Sequence, residues 1–322
     1  MIRLDALTRI YQTPRGSVTA VDRVSFEVGE GETCVLLGPS GCGKTTTLRM
    51  INRLVRPTAG KIFIGGRDTD AVDPVELRRS IGYVIQQIGL FPNMTVAENI
   101  GVVPRLLSWS APKRRKRAEE LLAMLALEPS HFLDRYPNEL SGGQAQRVGV
   151  ARALAVDPPV LLMDEPFAAL DPVNREAIQD EFLRMQRTLR KTILFVSHDI
   201  DEAVKMADRI AIFRAGRLEQ FAAPDDMLAH PADAFVAGFV GRDRTLKRLR
   251  LIRVREVMVP AAGGDSSPAD PAVSPDDDLR GVAAILLERG VDTIRCVDAN
   301  GQLVGRVTRE ALAARLDGEG SS

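Results

Sequence analysis

A chain of 322 residues, 45% of them hydrophobic and 27% charged, has room for one large packed domain and a small one. Its 43 basic and 43 acidic side chains cancel, so no global field argues for a nucleic-acid partner, and no apolar run reaches the roughly 18 residues a bilayer span needs. The start, Met1-Ile2-Arg3-Leu4-Asp5, lacks the apolar core of a signal peptide, and Cys34, Cys42 and Cys296 lack metal-ligand spacing, so reduced packing cysteines in a cytoplasmic protein are expected.

Leu4 to Ile10 and Val18 to Val28 alternate apolar and polar residues as half-buried strands do, with Pro14-Arg15-Gly16 as the turn between them. Such a small antiparallel sheet suits a cover over a nucleotide, and Tyr11 at a strand end is either packing or a ring that stacks on a base. The apolar run Thr33 to Leu37 then leads into Gly38-Pro39-Ser40-Gly41-Cys42-Gly43-Lys44-Thr45, and Thr46 continues into a helix. Strand, glycine loop and helix start in that order read as a phosphate-binding P-loop, with Gly38 to Thr46 as the nucleotide-binding stretch. Glycines let backbone N–H groups converge on an anion at a helix N-terminus. Lys44 is placed to reach the β- and γ-phosphates, and the Thr45 hydroxyl to take one position on Mg²⁺.

Breakers at Val55 to Gly60 end that helix, and Lys61 to Gly66 reads as a short strand and turn. Ile81 to Ile85 is a further strand closing on Gln86 and Gln87, where a glutamine is either a surface residue or a ligand to Mg²⁺ and the attacking water. From Phe91 to Ala155 the pattern turns helical, with Ala118, Leu121, Leu122 and Leu125 as one buried stripe and Lys113 to Arg117 as an expected solvated basic face. Leu140-Ser141-Gly142-Gly143-Gln144 stands before a second helix, so Ser141 and the two glycines form a second anion-seeking helix start.

Val160 to Met163 reads as a buried parallel strand that ends in Asp164-Glu165, at the strand edge where ligands of open parallel sheets sit. Asp164 there suits Mg²⁺, and Glu165 suits a base that orients water and takes its proton. Phe167 to Pro172 is a loop, and Ile178, Phe182, Met185 and Leu189 mark the following helix. Thr192 to Val196 is another buried strand, ending in Ser197-His198-Asp199, so His198 shares the carboxylates' edge and is either structural or a γ-phosphate contact. Ile210 to Phe213 and Arg217 to Phe221 close a hairpin.

Together these residues resemble the ATPase subunit of ABC transporters from about Leu4 to Gly241. Gly38 to Thr45 matches Walker A, Gln86 the Q-loop, Leu140 to Gln144 the LSGGQ signature, Val160 to Asp164 Walker B, and Glu165 the catalytic carboxylate. Ala169-Leu170-Asp171 matches the D-loop, His198 the switch histidine and Tyr11 the A-loop aromatic. The resemblance implies an α/β fold with a RecA-like P-loop core, an antiparallel β subdomain and a helical subdomain at about 90–155. It implies ATP and Mg²⁺ as cofactors, and a head-to-tail homodimer in which Ser141 to Gln144 of one subunit caps the γ-phosphate held by the other. It further implies a membrane permease partner, an extracytoplasmic substrate-binding protein and a peripheral position on the cytoplasmic face of the inner membrane. The alternatives are a soluble relative acting on nucleic acid or ribosomes, against which a single P-loop without sustained heptads speaks, and an importer ATPase for another small solute.

Phe235 to Leu249 and Ile81 to Pro92 look like the branch that imports glycine betaine, choline or proline, whose members carry C-terminal CBS domains. Residues 242–271 then read as a basic connector and an Ala/Gly/Ser/Pro-rich linker, and 272–318 as a small α+β domain resembling a single CBS motif. Thr308 is followed by Arg309, Glu310 and Ala311, which departs from the Thr-x-x-Asp of the adenosine-binding form. The basic stretch Arg242 to Arg255 is either a solvated connector helix or a surface for anionic lipid.

Overall fold

The computed structural model describes residues 1–14, 16–86, 89–168, 171–260 and 271–317, without the side chains of 172–174. Arg15, Gln87, Ala169, Leu170 and linker residues 261–270 lie outside the described residues. Two compact units are present, Met1–Ala223 and Pro224–Ser322.

The first unit holds strands β1 (Ile2–Thr13), β2 (Gly16–Val28), β3 (Thr33–Leu37), β4 (Ala59–Ile64), β5 (Arg67–Asp68), β6 (Ile81–Val84), β7 (Val160–Asp164), β8 (Thr192–Val196), β9 (Arg209–Arg214) and β10 (Arg217–Ala222). Its helices are α1 (Lys44–Ile51), α2 (Pro74–Ser80), α3 (Val96–Ile100), α4 (Val102–Leu106), α5 (Ala111–Met124), α6 (Pro129–Phe132), α7 (Gly142–Leu154), α8 (Pro172–Leu189) and α9 (Ile200–Met206). β3, β7 and β8 are continuous apolar runs, buried at all five positions, and they occupy the middle of a six-stranded sheet ordered β10-β9-β3-β8-β7-β6. Every pairing there is parallel except the β9–β10 hairpin. A second sheet, β2-β1-β4-β5, is antiparallel and reaches the first through the backbone bond from Asp22 N–H to the Gly216 carbonyl. Its inward residues Ile2, Leu4, Val24 and Val28 pack with Leu36, Leu48 and Phe213 into one core.

Helices α3 to α7 are inserted between β6 and β7. The stripe Ala118, Leu121, Leu122 and Leu125 is buried, as a 3.6-residue period requires. The basic run Lys113 to Arg117 is more than a solvated face. Arg114 donates to the Trp109 carbonyl at 2.6 Å, and Arg115 grips Asp134 through both nitrogens at 2.9 and 3.0 Å. Arg117 donates to the carbonyls of Leu154 and Ala155, where the carbonyl end of α7 favours a cation.

The second unit carries α10 (Pro224–Ala229), α11 (Ala234–Val240), α12 (Arg244–Arg248), β11 (Val259–Pro260), β12 (Ala272–Val273), α13 (Leu279–Arg289), β13 (Thr293–Val297), β14 (Leu303–Thr308) and α14 (Arg309–Asp317). Its sheet runs β11-β14-β13-β12, with α13 contributing Leu279, Val282 and Leu286 to a core shared with Leu249, Val254, Ile294 and Val307. The packing boundary at Ala223 lies ahead of Gly241, because Arg248 of α12 reaches back to Asp225 of α10 at 2.8 Å.

Neither reading of the Arg242 to Arg255 stretch describes it fully. Lys247 is 8% exposed and donates to the Val240 carbonyl and to Asp243, while Arg248 also donates to the Leu316 carbonyl at 3.1 Å. Two of its cations are therefore internal ties, since a buried charge needs partners to be tolerated. Thr308 is spent on its own helix, its Oγ accepting the Ala311 N–H at 3.1 Å. Cys34, Cys42 and Cys296 are free and buried, and burial pushes the Cys34 and Cys296 thiols up, as inert packing residues require.

Candidate functional site

The loop after β3 wraps a cavity of about 410 Å³ lined by Ala20, Gly38, residues 40–46, Glu165 and His198. Its glycines are there for different reasons. Gly38 has φ +141°, and a Cβ on it would lie 2.3 Å from the Phe213 carbonyl oxygen; Gly43 has φ +108°, and a Cβ there would lie 2.4 Å from the Ala20 carbonyl oxygen. Both glycines hold the loop against neighbouring backbone that cannot step aside. Gly43 also caps α1 without a side-chain bond, which leaves the first N–H groups of that helix available to an anion. Lys44 is 7% exposed, and its ammonium donates to the Gly38 and Pro39 carbonyls at 2.6 and 3.0 Å. The Gly216 N–H, at the β9–β10 turn, donates to the Cys42 carbonyl at 3.0 Å and braces the loop from behind.

Strand register then brings the distant motifs level. Val196 is paired with both Leu36 and Asp164, so the residues that follow β3, β7 and β8 leave the sheet side by side. The Thr45 hydroxyl donates to Asp164 Oδ1 at 3.0 Å. Burial pushes the Asp164 carboxyl above its usual range, against the opposing pull of the Thr45 bond and Arg49. Glu165 sits at φ +48°, a left-handed conformation that costs a non-glycine residue roughly 1–2 kcal/mol. Its N–H is held by the Val196 carbonyl at 3.1 Å, so the turn that aims its carboxylate is fixed by the neighbouring strand. Glu165 Oε2 accepts Gln86 Nε2 at 2.9 Å and lies 3.8 Å from His198 Nδ1.

This edge fits a magnesium nucleotide. Thr45 and Asp164 offer one hydroxyl and one carboxylate side by side, and among the described residues no group of three His, Cys, Asp or Glu forms a cage. That sparse oxygen set suits Mg²⁺, which keeps waters and phosphate oxygens in its shell. The glycine loop and buried Lys44 suit the phosphates themselves.

Other candidates stand apart from this cavity. Tyr11 pairs with Val18 across β1 and β2, two residues from Ala20, and the Arg9 guanidinium lies 4.4 Å from its ring centre. Ser141 and Gln144 bond each other's backbone N–H in a reciprocal cap at the start of α7, with Gly142 and Gly143 in its first turn. Asp171 is exposed just before α8, and its carbonyl accepts the Arg175 N–H at 2.9 Å.

Two features of the site escaped the sequence. Ala20 lines the cavity, and nothing in its side chain signals that. Asp199 and Glu202 spell a helix capping box, in which Glu202 should turn back to the Asp199 N–H. Instead Glu202 points inward to Ser197 and Gln179, and the Asp199 N–H goes to Ser197 Oγ at 3.0 Å.

Comparison with known proteins agrees with this geometry. The ABC transporter family profile matches residues 21–168. The chain is 55% identical to the osmoprotectant import ATP-binding protein OsmV of Salmonella typhimurium, over 96% of this chain and 79% of that one. It is 48% identical to the glycine betaine/carnitine/choline transport ATP-binding protein OpuCA of Bacillus subtilis, over 97% of this chain and 79% of that one. Among solved structures, a dimeric ATP-binding cassette in a post-hydrolysis state with ADP and Pi superposes with a TM-score of 0.63 and 38% identity, covering 69% of this chain and 98% of that one. Identity of that order across nearly the whole length makes this chain a member of the ABC transporter family, as an ATP-binding subunit.

Proposed function

We propose that the chain hydrolyses ATP to drive import of a quaternary amine osmoprotectant such as glycine betaine or choline, as a homodimer that encloses two ATP molecules. Members of this family bind ATP with Mg²⁺ and hydrolyse it, and the cassette relative with bound ADP and Pi is dimeric. The substrate class rests on the names of relatives at 48–55% identity. The observation that carries the hydrolytic reading is the shared strand edge, which sets Thr45 beside Asp164 and Gln86 beside Glu165 on one side of the glycine loop.

In this reading Lys44 and the N–H groups of residues 40–46 hold the β- and γ-phosphates. Thr45, Asp164 and Gln86 would hold Mg²⁺, which when bound neutralises phosphate charge. Glu165 orients water and accepts its proton, and His198 contacts the γ-phosphate. Tyr11 stacks on the base, while Ser141, Gly142, Gly143, Gln144 and Asp171 complete the site of the other subunit. By resemblance the ATPase sequence runs through 1–241, with 242–271 as connector and 272–318 CBS-like, whereas packing groups residues from Pro224 on, Leu249 and Val254 included, with the second unit.

The relatives' names place them in import systems, which implies a membrane permease as partner. No helix among the described residues is long and apolar enough to cross a membrane; a peripheral position on the cytoplasmic face of the inner membrane follows from the proposed role as the ATPase of a membrane import system. An extracytoplasmic binding protein supplies the solute, and nucleic acid has no role. The test is uptake of labelled glycine betaine, choline and carnitine by vesicles holding the permease, this chain and the binding protein. ATP-dependent uptake of at least one is expected; transport of a different solute class alone overturns the substrate reading.

A further inference from the structure

Glu202 lies outside the phosphate cavity, yet it is a carboxylate only 6% exposed, in the first turn of α9. Burying a carboxylate is costly, and an apolar side chain of that size would pack at less cost. Its two oxygens are used differently. Oε2 accepts the Ser197 hydroxyl, and Oε1 accepts Gln179 Nε2 at 3.0 Å. Ser197 immediately precedes His198, and its Oγ also accepts the Asp199 N–H at 3.0 Å. The Asp199 carboxylate in turn accepts the Asp201 N–H at 2.8 Å and lies 3.8 Å from an Arg175 nitrogen.

The residues on both sides of His198 are therefore tied down, while the His198 side chain itself is 63% exposed. Arg175 and Gln179 are four residues apart on α8, so one face of that helix supplies both braces. That helix begins immediately after Asp171. We propose that Glu202 is a positioning residue for ATP hydrolysis, acting through Ser197 to hold His198 at the γ-phosphate edge, with α8 as the fixed support. The proposal rests on the reading of His198 as a γ-phosphate contact. A misplacement of about 1 Å costs as much as 100-fold in rate, so the brace has leverage on catalysis without touching substrate.

A double-mutant cycle in the full-length chain tests it: Glu202→Ala, His198→Ala and the two combined, each measured for kcat, KM and equilibrium ATP affinity. Glu202→Ala is expected to lower kcat about tenfold or more while ATP affinity stays within about twofold. The combined variant is expected to be no slower than His198→Ala alone, because a group that acts through His198 has nothing left to position. A purely structural role instead multiplies the two losses, since a smaller folded fraction slows any variant, and that result overturns the proposal. Wild-type turnover by His198→Ala removes the His198 reading and this proposal with it. If Glu202→Ala does not fold, Ser197→Ala, which removes the hydroxyl that links Glu202 to the His198 turn, enters the same cycle, where wild-type kcat overturns the proposal.

Discussion

Gln86 donates to the Glu165 carboxylate at 2.9 Å, across the ends of two adjacent parallel strands. The bond joins a residue after β6 to one after β7, on either side of the inserted helices α3 to α7.

Glu165→Gln keeps the shape of the side chain and removes its basicity. Turnover should fall about 10²- to 10⁴-fold with ATP affinity retained. ATP-dependent dimers should accumulate on size exclusion, because the step that releases them is blocked. Unchanged turnover removes Glu165 from this role.

The P-loop glycines separate strain from clash. Gly38→Ala would put a methyl 2.3 Å from the Phe213 carbonyl oxygen at φ +141°, so it should cost well over about 1 kcal/mol and abolish ATP binding. Gly41→Ala at φ +76° meets no heavy atom within 4 Å and should cost about 1 kcal/mol of strain alone. Thermal melts without nucleotide compare the two directly, and equal losses would refute the distinction.

Ser141 caps its own helix, so Ser141→Ala should cost about 1 kcal/mol or less in stability. Ser141→Arg should leave ATP binding intact and stop hydrolysis if, as proposed, the residue completes the other subunit's site. Mixing it with Lys44→Ala should restore activity that neither variant has, because one composite site in the mixed dimer is then intact. No recovery on mixing argues against sites shared between subunits.

Burial pushes the Glu202 carboxyl above its ordinary range, ahead of the opposing pulls from Ser197 and Gln179. The folded chain therefore keeps this proton to higher pH than the unfolded chain, whose carboxyl titrates near pH ~4.3. The stability this group contributes is full below that pH and is lost as pH rises through the raised folded value. The melting temperature of wild type, relative to Glu202→Gln, should fall from pH 4 towards neutrality. A difference independent of pH would contradict the direction of the shift.

In the second unit, Arg248 is an internal tie to Asp225 and the Leu316 carbonyl. Arg248→Ala should destabilise that unit by about 1–3 kcal/mol, from an acceptor and a carboxylate left without their donor. Hydrogen exchange in residues 224–317 reads the loss locally; an unaltered exchange pattern with a changed salt response would return Arg248 to the role of a lipid contact.

The sequence by itself determined each motif and the element carrying it. Strand, glycine loop and helix start at 33–51, the buried runs at 160–164 and 192–196, and the stripe of α5 are all local patterns of backbone freedom and side-chain period. Tertiary structure alone decided which strands are neighbours. The order β3-β8-β7-β6 brings Lys44, His198, Glu165 and Gln86 to one edge, because that pairing depends on packing between strands whose partner residues, such as Val160 with Thr192 and Thr33 with Ile193, are distant in sequence. It also turned Glu202 inward from the cap its spacing spells, and buried Lys247 and Arg248 in a run that reads as solvated charge. In each case the local pattern specifies which groups are polar, and only the surrounding fold supplies the partner that determines where each one points.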